Sequence, residues 1–223
     1  MVRIIDVAFY NLTIDNEKDT GLTALSKYGN TFTDFKTEEC RITQWKTDGW
    51  RPVEDGISGG TTEGSFTLFW KNGTHNATNS GVKDGHYQTA YYSLKEAIAN
   101  CKGGNLFGDI DCEIGEYAYC GNEINYHDDG SQLFISTDYP MMLMVAKAKD
   151  KLDDIKAEDF EMFLVPAKLG VNIDAGIWHC SPFAYYTNKQ VNMYTRQGKV
   201  HSKVYYYPIE EEQCIFRFPI VKS

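Results

Sequence analysis

The sequence predicts an all-β fold, a sandwich or barrel. Three observations carry this reading: short strand-like runs recur along the chain, glycine-centred turn signals separate them, and helical periodicity is scarce. Composition agrees. Aromatic residues make up 14% of the 223 positions, with 15 Tyr and 12 Phe, and such side chains suit a pleated, half-buried surface. All-β barrels reach this length as one unit, so residues 1–223 are read as a single domain, with 1–116 and 117–223 as its two halves.

Taken in order, strand-like runs extend from Ile4 to Leu12, Ser65 to Trp70, Tyr117 to Cys120, Gln132 to Ser136, Met141 to Ala148 and Phe160 to Val165. They continue from Val171 to Asp174, Gln190 to Thr195, Lys203 to Tyr207 and Cys214 to Phe218. Turn punctuation falls at Asp48-Gly49, Ser58-Gly59-Gly60, Asn72-Gly73, Lys102-Gly103-Gly104, Asp129-Gly130 and Gln197-Gly198. One helix is expected from Ser93 to Cys101, where Ser93 and Glu96 form a capping-box pattern ahead of Gly103-Gly104. A short turn is expected near Lys156. Residues 50–64 and 72–85 read as loop or lid.

The formal charge of −9 and the lack of a basic stripe argue against nucleic acid as a partner. No apolar run is long enough for a membrane span, and the N-terminus does not read as a signal peptide. The six cysteines show no CxxC pair, which disfavours a zinc knuckle and suits reduced thiols in a cytoplasmic protein. The sequons at Asn11, Asn72 and Asn76 would matter only in a secreted chain. P-loop, GxGxxG, GxSxG and HExxH patterns are missing.

Two histidines stand where strands meet turns. His127 precedes Asp128-Asp129-Gly130, and His179 lies between Gly176 and Pro182. Loops fixed on a rigid barrel are where binding groups concentrate. The structural alternative makes His179 a core residue beside Trp178 and His127 an exposed loop residue. His75, His86 and His201 fall in polar stretches and read as solvent-facing.

The run His127-Asp128-Asp129-Gly130-Ser131-Gln132-Leu133-Phe134-Ile135, followed by Met142-Leu143-Met144-Val145-Ala146, Phe163-Leu164-Val165, Gly170-Val171-Asn172 and Trp178-His179, resembles the ureidoglycolate lyase family. The resemblance spans roughly residues 117–195. It implies a cupin-like β-barrel, or jelly roll, with few short helices. In the first half it is confined to Leu25-Ser26-Lys27-Tyr28-Gly29 and Ser65-Phe66-Thr67-Leu68-Phe69, and residues 72–116 show no counterpart. Where that family continues Trp-His with a second His and then Pro, this chain has Cys180-Ser181-Pro182. A His-x-x-Pro arrangement with a preceding Tyr-His pair is similar to a group of uncharacterised bacterial cupin-like proteins.

The resemblance implies cleavage of a carbinolamine C–N bond, releasing urea and glyoxylate. That reaction needs a base for the hydroxyl proton and an acid for the leaving nitrogen, roles suited to two histidines near neutral pKa. His127 and His179 are the expected catalytic pair. Gln132 is expected to hydrogen-bond the ureido group and Lys168 or Arg196 to hold the carboxylate, with Asn172, Trp178 and Tyr185 as further substrate contacts. The leading reading requires no cofactor. A divalent metal is the alternative, held by Glu123, His127, Glu161 and His179, since imidazole with carboxylate suits Zn, Mn, Fe or Ni. The expected partner is a small-molecule substrate, and the generic habit of such barrels suggests a homodimer. Competing functions are a non-catalytic barrel that binds or sequesters a small ligand, a metal-dependent enzyme acting on sugars or hydroxy acids, and an interaction module assembling through a sheet edge.

Overall fold

Apolar runs such as Met141-Met142-Leu143-Met144-Val145-Ala146 form strands whose two faces are both covered, so the usual alternation of apolar and polar positions disappears. The computed structural model describes residues 3–13, 20–41, 61–62, 73–77, 83–90, 124–128, 130–180, 182–185, 190–197, 200–202, 204–206, 208 and 212–218. In chain order its strands are β1 (Arg3–Asp6), β2 (Ala8–Asn11), β3 (Gly29–Phe32), β4 (Thr61–Thr62), β5 (Gly73–Ala77) and β6 (Lys83–Ala90). There follow β7 (Ile124–Tyr126), β8 (Gln132–Ser136), β9 (Met141–Lys147), β10 (Glu161–Val165), β11 (Gly170–Ile173) and β12 (Ile177–His179). The last are β13 (Phe183–Ala184), β14 (Gln190–Gln197), β15 (Val200–Ser202), β16 (Val204–Tyr206) and β17 (Cys214–Arg217). One short helix, α1 (Thr20–Leu25), was not signalled by the sequence.

Two large sheets dominate. One has the order β16-β7-β12-β9-β10-β2, with β13 also on β9, and the other runs β3-β11-β8-β14-β6-β5. The strand-rich, cupin-like character expected from the sequence is therefore present. The Ile4 to Leu12 run divides: β1 pairs in parallel with β17, whereas β2 pairs in parallel with β10. The short turn near Lys156 is a 3-10 turn at Ala157–Asp159. The expected helix from Ser93 to Cys101 and the strands from Ser65 and from Tyr117 lie outside the described residues.

Strand alternation sorts side chains into separate cores. Met141, Leu143, Val145, Phe163 and Val165 of the first sheet meet Phe134, Val171, Ile173, Val191 and Met193 of the second, which defines the interior between the sheets. Met142, Met144, Ala146, Met162 and Trp178 point the other way, under Ile5, Phe160, Cys214 and Phe216. A smaller cluster of Phe32, Leu133 and Ile135 covers the outer face of the second sheet. Each fully buried large apolar side chain contributes about 1.5–3 kcal/mol, so these layers hold the sheets in fixed registers.

At the β3/β11 contact the two backbones approach closely. Gly29 lies opposite Ile173, and a Cβ placed on it would come within 2.0 Å of the Asn172 carbonyl oxygen. Gly29→Ala is therefore expected to destabilise the fold by about 1–3 kcal/mol through overpacking. Chemical denaturation checks this, and an unchanged midpoint would contradict the close approach.

Candidate functional site

The register of β12 sets the site. Trp178 pairs with Ala146 and His179 with Val145. Val145 faces the interior and Ala146 the outer core, so His179 faces inward and Trp178 outward. On the other edge of β12, His179 lies opposite Asn125 of β7. Ile124 and Tyr126 belong to the outer core, which turns Asn125 inward as well. His127 follows β7 directly, and its carbonyl accepts the Gly176 N–H at 2.9 Å. Gly176 has φ of 81°, a left-handed conformation that glycine adopts without strain. One backbone hydrogen bond thus links the turn before His179 to His127.

Opposite them, β8 begins at Gln132, which is paired with Ile173 on one side and Gln197 on the other. Just before it, Ser131 is clamped by residues 40–41. Its N–H donates to the Arg41 carbonyl at 2.9 Å, its hydroxyl accepts the Arg41 N–H at 2.9 Å, and its carbonyl accepts the Cys40 thiol at 3.0 Å. Arg41 in turn pairs with Asp174 at 2.6 Å. The mouth segment is therefore fixed by contacts from distant parts of the chain.

Three side chains converge. Gln132 Oε1 lies 3.0 Å from His127 Nε2 and 2.9 Å from His179 Nε2. The two imidazoles meet edge to face, with ring centroids 4.9 Å apart at 89°. His127, Gln132 and His179 are 2%, 6% and 3% exposed. Gln132 Nε2 also lies 3.2 Å from Thr195 Oγ1, and Phe134 packs edge-on against His179 at 6.2 Å.

Proton placement follows from the partners. The Ile177 carbonyl 2.8 Å from His179 Nδ1 only accepts, so Nδ1 carries a proton. With Gln132 Oε1 facing both rings, each Nε2 must donate, and His179 is then an imidazolium. Turned over, the carboxamide would give one N–H to each Nε2 lone pair and accept from Thr195, leaving both rings neutral. The cluster thus has two hydrogen-bonded states that differ in proton count, as an acid–base site requires. Burial, aided by Asp128, pushes the Tyr126 phenol up to about 12, and burial likewise pushes the Cys214 thiol up to about 12. Neither ionises near neutrality.

The other expected contacts lie elsewhere. Lys168 is exposed, with φ of 68°, in the turn between β10 and β11; those strands enter and leave the mouth level at Glu161 and Ile173, so the turn is at the far end. Arg196 alternates outward on β14, donates to the Phe35 and Glu38 carbonyls at 3.1 and 2.7 Å, and stacks on Phe35. Asn172 alternates outward on β11 and donates to Glu38 at 2.6 Å. Trp178 and Tyr185 sit in the outer core. Strand alternation or turn location places these five expected substrate contacts away from the His127–Gln132–His179 cluster. Glu161 shares the inward row of His179 and Val145, but engages Lys27 at 3.6 Å; burial first, and Glu161 second, push the Tyr28 phenol above its ordinary range. Glu123 lies outside the described residues. Among the described residues no three His, Cys, Asp or Glu side chains converge as a metal ligand set, so His127, Glu161 and His179 do not come together as one.

Sequence reasoning missed Asn125, Thr195 and Gln197, all buried and polar. Thr195 and Gln197 occupy the inward positions that Val191 and Met193 begin, a period-two signal in the sequence.

Fold and site together define a cupin-like barrel with a polar, histidine-bearing mouth. Residues 89–205, more than half of the chain, match the sequence model described as ureidoglycolate lyase, and the chain belongs to that family. The match reaches further in both directions than the motif run, including residues from 89 onward where no counterpart was recognised. No curated protein matches the chain. A lyase-type function on a small molecule goes with the family, and no helix among the described residues is long and apolar enough to cross a membrane.

Two substitutions test the framework. Gly176→Ala places a side chain in the left-handed region and is expected to cost about 1–3 kcal/mol, read as a lowered denaturation midpoint. Trp178→Ala is expected to cost about 3–5 kcal/mol; a variant that kept wild-type stability while losing substrate affinity would restore Trp178 to the site.

Proposed function

We propose that the barrel mouth cleaves the carbinolamine C–N bond of ureidoglycolate, with His127 and His179 as the acid–base pair. The observation that carries this reading is the convergence of both Nε2 atoms on the Gln132 carboxamide, at 3.0 and 2.9 Å. With substrate displacing its contact to Gln132, His127, as the tautomer protonated at Nδ1, takes the hydroxyl proton at Nε2 as the C–O bond becomes the carbonyl of glyoxylate. The C–N electron pair leaves with nitrogen, which receives a proton from His179 Nε2 to complete urea. His179 suits the acid role because its Nδ1–H is held by the Ile177 carbonyl, so protonation at Nε2 makes it cationic. With Lys168 and Arg196 directed away, the substrate carboxylate is left to the imidazolium and to neutral donors such as Thr195 and Gln197.

A second reading is favoured by the same distances. Two imidazole nitrogens each lie about 3 Å from one amide oxygen, and nitrogen and oxygen donors of this kind suit a divalent metal. The donor set fits such an ion, with His127, His179 and Gln132 as ligands and the Ile177 carbonyl orienting one imidazole. A bound ion would supply Lewis-acid polarisation of a substrate oxygen.

Urea release from ureidoglycolate, measured with and without chelator, separates these readings. His127→Asn and His179→Asn are each expected to lower kcat by about 10²–10⁴-fold, the usual contribution of general acid–base catalysis, while Tm stays near wild type. Unaltered urea release in both variants would sink the acid–base assignment, and loss on chelation would favour the ion. Gln132→Glu adds a charge that favours imidazolium, so the acidic limb of the pH–rate profile should move up by about 1–3 pH units if the histidines act as proton carriers.

A further inference from the structure

We infer that Asn125 determines specificity at this mouth: its buried side-chain oxygen accepts an N–H from the nitrogen-bearing end of the ligand. The identity of that end rests on the ureidoglycolate reading; the existence of the acceptor does not. Asn125 lies opposite His179 in the β7/β12 register and faces inward between Ile124 and Tyr126. Side chains directly opposed across two strands have Cβ atoms about 4.5–5.5 Å apart, so the amide stands beside the imidazole that touches Gln132. Asn125 is 5% exposed, and its Oδ1 is buried with no hydrogen-bond partner among the described residues.

A buried carbonyl oxygen without a donor costs stability, and an apolar side chain of the same shape would remove that cost. Leucine is such a side chain, and the surrounding strands offer it apolar neighbours. An amide at this position therefore gains its partner from something that enters the mouth. An acceptor oxygen selects a hydrogen-bond donor. The ureido nitrogens of the proposed substrate supply N–H donors, whereas its carboxylate end supplies none. Asn125 thus reads the leaving urea, and the groups that read the carboxylate are separate from it.

The test compares wild type with Asn125→Leu and Asn125→Asp, using urea at non-denaturing concentration and glyoxylate as separate probes in ligand-observed NMR titrations. Asn125→Leu is expected to weaken urea binding at least tenfold, leave glyoxylate binding within about twofold, and hold or raise Tm. Asn125→Asp keeps the acceptor and should retain urea binding. A fall in Tm of several degrees in Asn125→Leu would reveal a structural partner and overturn the inference. Equal loss of both probes, unchanged urea binding, or a wild-type protein that binds no urea would overturn it too. Turnover is scored separately: a wild type that binds urea through Asn125 yet releases none from ureidoglycolate would refute the proposed reaction while leaving the acceptor role in place.

Discussion

The register of β12 against β9 is the constraint on which the site depends. Side chains alternate strictly along a strand, so the pairing of His179 with Val145 commits every neighbour: Trp178 to the outer core, His179 to the interior, and Asn125 to the interior across the next strand. A slip of one residue would exchange all of them. Such a slip is opposed by the 0% exposed Trp178 against Tyr126 and Tyr206, and by the backbone bond from Gly176 to the His127 carbonyl. The large indole therefore acts on chemistry indirectly, by holding the register that aims an imidazole.

Much of the second half was legible because its runs are long, apolar and separated by turns. Gln132 to Ser136 was read with its observed limits, and the runs from Met141 and Phe160 came within a residue of theirs. Three-residue strands carry too little period for their limits to be drawn from the sequence. β7 and β12 are of that kind, and they are the ones that bear Asn125 and His179. The helix at Thr20–Leu25 escaped for a similar reason: six residues make fewer than two turns, and burial of Gly21, Ala24 and Leu25 holds it rather than intrinsic propensity.

Which of the expected residues converge has one physical cause. His127 and His179 stand at strand–turn junctions, and Gln132 of the motif run opens a strand, so that position fixes direction. Lys168 and Arg196 answer to side-chain chemistry and Asn172 to the motif run, without the face on which each emerges. Arg196 lies between Thr195 and Gln197, both buried on the inner face. The charge that looked like a carboxylate anchor instead binds carbonyls of residues 35 and 38 from the outside, and the less conspicuous Thr and Gln on either side face the mouth.

That exchange shapes the chemistry. A chain with net charge −9 repels anions at long range, and a fixed guanidinium in the mouth would be the direct remedy. The described interior offers instead amides, a hydroxyl and two imidazoles, whose positive charge is conditional on protonation. In the proposed reaction His179 gives up a proton as His127 gains one, so one positive charge stays in the mouth and moves from the imidazole beside the leaving nitrogen to the one beside the new carbonyl. The pair then keeps its attraction for the anion through bond cleavage and changes only which ring carries it, 4.9 Å away.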